Sequence, residues 1–101
     1  MLNEYANLRK QSKEIFELID GNYWSDAEKK IKDLIPKFPD CGVYVSELAR
    51  ILNGMKKSIQ PWDYLDGRRN EYQEKEIFPQ QISDALVDFQ MYITKPKSKL
   101  K

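Results

Sequence analysis

Apolar residues recur along most of this chain at alternating spacings of three and four, the signature of helices that bury one face. In the first segment Tyr5, Leu8, Ile15, Phe16 and Ile19 follow that rule, with Ser12 filling one gap. The spacing predicts a helix over 3–20, and Gly21, directly after the run, is its expected left-handed terminator. A second stripe runs through Trp24, Ala27, Ile31, Leu34, Ile35 and Phe38. Ser25 and Glu28 have the spacing of a capping box, which marks the start of this helix. Pro36, which removes a backbone donor, should stop regular helix near Ile35.

Pro39 and Asp40 open a third predicted helix. Its face carries Tyr44, Leu48, Ile51, Leu52 and Met55, and Asn53-Gly54 is the expected termination signal. The pattern then lapses. From Ser58 to Phe78 the chain holds Pro61, Gly67 and many charges, so a long connection is expected there, with no more than a short helical turn from Pro61 to Leu65. A final helix should begin near Pro79, bury Ile82, Leu86, Phe89 and Ile93, and end before Pro96. These stripes are too narrow to be stable alone. They predict an all-α fold, a small antiparallel helical bundle or helical-hairpin array of about four helices with one long connection between the third and last.

The run Gly21-Asn22-Tyr23 with Ala27 and then Pro39 resembles part of a tetratricopeptide-type hairpin, which packs a small residue between its helices. Such repeats need about three copies to bury a continuous core, and none recurs here near a period of about 34 residues. The resemblance therefore implies a local hairpin and no repeat array.

Composition narrows the class. Hydrophobic residues make up 41% and charged residues 33% of 101 residues, enough apolar material for one core and too much for a disordered chain. One domain over 1–94 is expected, followed by a lysine-rich, disordered tail over 95–101. No apolar stretch approaches the roughly 20 residues that span a bilayer, and Met1-Leu2-Asn3-Glu4 has none of the regions of a secretory signal. With one cysteine and no disulfide to form, a cytoplasmic location is the expectation.

Candidate chemistry is sparse. The chain has no histidine, which removes the commonest general base, triad partner and zinc ligand together. A single cysteine excludes paired-thiolate zinc motifs, and no phosphate-cradling glycine loop is present. The chain is thus expected not to be an enzyme and to use no cofactor or metal. Cys41, near the predicted start of the third helix, is either a thiol favoured by free amides or a small packing residue. Asp63 and Asp66 are a carboxylate pair without the further oxygen ligands of a metal cage.

Charge points toward protein partners. Four of the seventeen basic residues lie in the tail, leaving thirteen against sixteen acids before it; within 59–94 three basic residues face seven acidic ones. That region should repel a phosphate backbone and attract a basic protein. A helix-turn-helix reading of Ser46 to Gly54 meets Pro61 where the recognition helix should run. The strongest interaction signal is the aromatic and arginine-rich stretch from Pro61 to Tyr72, from which Trp62, Asp63, Tyr64, Asp66, Arg68 and Arg69 are expected to contact a partner. The alternative is that Trp62 and Leu65 plug the end of the bundle. These features predict a non-catalytic protein-binding module, most concretely an inhibitor of the immunity-protein or antitoxin type directed at a basic, nuclease-like toxin. A small DNA-binding helix-turn-helix-like regulator and a helical adaptor or scaffold are the alternatives.

Overall fold

The computed structural model describes residues 2–93, and all regular structure among them is helical. Five α-helices follow in order: α1 (Leu2–Asp20), α2 (Trp24–Lys37), α3 (Gly42–Lys56), α4 (Pro61–Glu74) and α5 (Gln80–Ile93), with a 3₁₀ turn over Pro39–Cys41 before α3. The tail expected over 95–101 lies outside the described residues.

Four of the helices enclose the core. α1 packs against α2 and α5, and α3 packs against the same two, so the apolar stripes of α1, α2, α3 and α5 converge. Leu8, Ile15, Phe16, Leu48, Ile51 and Leu86 are all essentially inaccessible to solvent. Each such side chain contributes roughly 1.5–3 kcal/mol by leaving water. The rings of Phe16 and Phe89 lie 5.8 Å apart, tying α1 to α5. Ser12, the gap in the first stripe, is fully buried, and its hydroxyl donates to the Leu8 carbonyl at 2.8 Å. Cys41 is buried in the same core, beside the start of α3.

The helix boundaries depart from the sequence expectation in instructive ways. The residue that turns left-handed after α1 is Asn22 (φ 65°), one position beyond Gly21. There the Tyr23 amide donates to the Leu18 carbonyl and the Asn22 amide to the Ile19 carbonyl, which closes the last turn. Tyr23 is thereby fixed so that α2 can begin at Trp24. The expected Ser25–Glu28 capping box does not form, and no side-chain cap hydrogen bond precedes α2. Pro36 is accommodated inside the last turn of α2: the Phe38 amide still donates to the Leu34 carbonyl, so the proline costs only its own donor. α3 runs through Asn53-Gly54 and ends with Ser58 in the left-handed region (φ 64°). Its Tyr44 amide, one of the free amides at the helix start, donates to the Gln81 side chain of α5 at 3.0 Å.

The largest correction concerns 58–78. The expected long connection contains a full helix, α4, of 14 residues, which rests on α3 and α5. Pro61 occupies its first turn, where a missing amide costs nothing. Its end repeats the device seen after α1: Glu76 turns left-handed (φ 57°) and the Ile77 amide donates to the Tyr72 carbonyl at 3.1 Å.

Candidate functional site

α4 has almost no apolar face of its own. Leu65 is its only buried aliphatic side chain, and its packed side is completed by Tyr64, Arg68 and Tyr72. A helix with so little to bury needs polar anchoring. Glu47 of α3 supplies it. This carboxylate is 1% exposed and faces Arg68, whose guanidinium donates through Nη2 to Oε1 at 2.6 Å and through Nε to Oε2 at 3.0 Å. The Tyr64 hydroxyl donates to Oε2 of the same carboxylate at 2.9 Å. Arg68 also donates to Glu71 at 2.9 Å and to the Tyr72 hydroxyl at 2.9 Å.

The electrostatics follow from this geometry. The hydrogen bonds to Glu47 hold Arg68 charged against the cost of burial, raising its pKa. Burial, and then the Glu47 charge, push the Tyr64 phenol well above its ordinary value. Glu71, hydrogen-bonded by Lys75 and close to Arg68, has its carboxyl held below the usual range.

Two further contacts seat the helix. Tyr64 meets Phe89 edge-on at 6.4 Å between centroids, and Arg69 donates to the Gln90 side chain of α5 at 2.6 Å. α4 also approaches α3 closely at Gly54, where a Cβ would stand 2.8 Å from the Tyr64 ring. This contact, rather than a turn, accounts for a glycine inside α3.

The six residues singled out from sequence therefore divide. Tyr64, Arg68 and Arg69 turn inward and hold α4 in place. Trp62, Asp63 and Asp66 are exposed; Asp66 lies three residues from Asp63 and four from Trp62, which puts all three within an outward sector of about 100°. Trp62 is 48% exposed, and Gly67 of the same helix is exposed with open space where a Cβ would stand. Asp63, Asp66 and Glu74 form no ion pair with any described residue. The outward face of α4 thus carries a half-exposed indole beside carboxylates that make no ion pair with any described residue, on a helix fixed from behind by a buried ion pair.

A second buried polar cluster ties α1, α3 and α5 together. The Asp88 carboxylate accepts both arms of the Arg9 guanidinium, at 2.8 and 2.7 Å, and the Tyr44 hydroxyl at 2.7 Å. The Tyr5 hydroxyl donates to Asp84 at 2.6 Å. Burial, then the hydrogen bond to Asp88, raises the Tyr44 phenol, and Tyr5 is raised likewise by burial and by Asp84. Sequence reading missed both carboxylate clusters. A signal was present: Glu47 lies three residues from Tyr44 and four from Ile51, on the buried stripe of α3, where an acid must find a partner.

Among the described residues no three cysteine, aspartate or glutamate side chains converge to hold a metal ion, and no helix is long and apolar enough to cross a membrane. No protein family, curated protein or solved structure matches the chain.

Proposed function

We propose that this chain is a non-catalytic protein-binding module that engages a basic partner through the outward face of α4. Its most concrete form is an inhibitor of the immunity-protein or antitoxin type that covers a basic, nuclease-like toxin. One observation carries the proposal: Trp62 stands half-exposed on the same outward side as Asp63 and Asp66, on a helix that the Glu47–Arg68 pair anchors from behind. A large aromatic ring on a fixed mount can bury much area with little loss of conformational freedom. The carboxylates around it raise the encounter rate with a positively charged surface.

The test compares proteins captured from the native source by the wild-type chain and by Trp62→Ala. A basic protein should be retained by the former, with binding weakened by roughly 2 kcal/mol or more in the variant and an unchanged melting temperature. Reversing Asp63 and Asp66 to lysine should slow association and lessen its dependence on salt. Early melting of Trp62→Ala, or unaltered binding by the folded variant, would assign the ring to the packing of the bundle and remove the proposal. Tight, salt-dependent binding to duplex DNA would favour the regulator reading instead.

A further inference from the structure

Every exposed charge along α4 is negative. Asp63, Asp66, Glu71 and Glu74 are exposed, whereas Arg68 is buried and Arg69 is half-buried. Glu71 is engaged by Arg68 and Lys75, which leaves the acids around Trp62 as the ones that no described base answers. The complementary charge lies in the same chain. Lys95, Lys97, Lys99 and Lys101 stand at every second position of 94–101, a segment with no acid. In an extended backbone a spacing of two places all four on one side, and proline at 96 favours the extended form at Lys95.

The fold delivers that segment to the end of α4 that carries Trp62. Ile93, the last residue of α5, and Pro61, the first of α4, line one hollow of about 310 Å³ at the end of the bundle, with Asp20 also on its wall. Trp62 follows Pro61 directly. It also lies seven residues, almost two full turns, before Arg69, whose guanidinium reaches the Gln90 side chain of α5 at 2.6 Å. The indole therefore stands on the flank of α4 nearer α5, and Asp66 and then Asp63 stand farther out. Eight residues span up to about 28 Å, and α4, with 14 residues, is about 21 Å long. The segment can thus run from Ile93 across Trp62 to Asp66.

We infer that residues 94–101 fold back along the outward face of α4, seat lysines on Asp63 and Asp66, and cover Trp62, so that the chain carries its own occupant for this face. An ammonium group over an indole and beside carboxylates gains from both. A tether this short holds the lysines near the face at millimolar effective concentration. The covering stands on charge and placement alone. Its consequence for a basic partner rests on the function proposed above: that partner must first displace the strap, and a face occupied by its own chain binds every rival less tightly, in proportion to the fraction of time it is free.

The experiment measures acrylamide quenching of Trp62 in the full-length chain carrying Trp24→Phe, which leaves a single indole. Replacing Lys95, Lys97, Lys99 and Lys101 by glutamine should raise the quenching constant, and added salt should do the same to the unreplaced tail. Asp63→Asn together with Asp66→Asn should raise it as far, with no further rise when the two sets are combined. A control that replaces the exposed Lys10, Lys13, Lys29 and Lys37 by glutamine makes the same change of charge and should leave quenching as it was. In chains that keep Trp24, an octalysine peptide should bind the tail variant about tenfold more tightly than the control variant, the factor for a face covered roughly nine-tenths of the time. This arm keeps the test valid if Trp24→Phe disturbs folding. None of these measurements uses the native partner, so they succeed or fail apart from it. Equal quenching with and without the tail lysines, or an equal rise in the control, would overturn the assignment without touching the partner face proposed for α4. Dependence on Asp20→Asn in place of Asp63 and Asp66 would move the segment into the hollow at the bundle end, and a difference that fades on dilution would give the lysines to a second copy; either result also overturns it.

Discussion

The core enclosed by α1, α2, α3 and α5 and the seat of α4 are held by different forces. In the first, most helices contribute several fully buried aliphatic or aromatic side chains, and the Arg9–Asp88 pair adds a polar link between α1 and α5. In the second, Leu65 stands nearly alone and the polar cluster of Glu47, Tyr64 and Arg68 supplies the remaining specificity. Hydrophobic burial is tolerant of direction, whereas a forked guanidinium on a carboxylate fixes one orientation. α4 is consequently aimed more than it is glued, which is what a surface that presents Trp62 requires.

Alkali should produce the largest effect, because it strikes both regions. The phenols of Tyr5, Tyr44 and Tyr64 have folded pKa values raised above the ordinary value of about 10. For a raised pKa the folded chain binds the proton more tightly than the unfolded one. The associated stability is therefore complete below about pH 10 and is lost as pH climbs above it toward the folded values. The urea midpoint should fall steadily in that window, and absorbance at 295 nm should rise together with the loss of helical ellipticity. A midpoint independent of pH up to about 11.5 would contradict this. Tyr64→Phe should remove the part of the dependence that belongs to α4 and leave the part from Tyr5 and Tyr44.

Single truncations then separate the two regions. Phe16→Ala should cost about 4 kcal/mol in cooperative unfolding, since its ring is buried against Phe89 and Tyr92. Arg68→Ala should cost about 3 kcal/mol by leaving the Glu47 carboxylate buried and unpaired. The distinguishing measurement is amide hydrogen exchange: Arg68→Ala should release α4 selectively, while Phe16→Ala should lower protection throughout. Uniform loss of protection in both variants would mean that α4 and the core unfold as one unit.

The smallest effect concerns helix ends. Ser58 and Glu76 adopt left-handed φ values that cost an ordinary residue more than a glycine. Ser58→Gly and Glu76→Gly should each raise stability by about 0.5 kcal/mol, visible as a small upward shift in melting temperature. A decrease would show that their side chains make contacts outweighing the strain.

These contrasts also explain what could be read from the sequence. The stripes of α1, α2, α3 and α5 are legible because their buried positions are aliphatic or aromatic and periodic, and the all-helical class follows. α4 escaped because Tyr64, Arg68 and Tyr72, which form most of its inner side, are amphipathic residues that sequence reading assigns to the surface. Its limits were hidden too, since the left-handed turns on either side of it fall on a serine and a glutamate, residues that do not announce a helix end. Of the six residues singled out for partner contact, only Trp62, Asp63 and Asp66 face outward. Arg68 turns inward onto Glu47, a residue 21 positions away that local patterning cannot connect to it.

Gly54 carries a consequence for divergence. Because an added methyl group would stand 2.8 Å from the Tyr64 ring, the two positions cannot vary independently while α3 and α4 keep their spacing. Lineages that replace the glycine must shrink residue 64, and with the phenol goes one of the hydrogen bonds that satisfy the buried Glu47 carboxylate. A drift at a single small residue thus propagates into the electrostatics of the helix that presents Trp62, and the paired history of positions 54 and 64 becomes a marker for whether related chains still hold that helix in the same attitude.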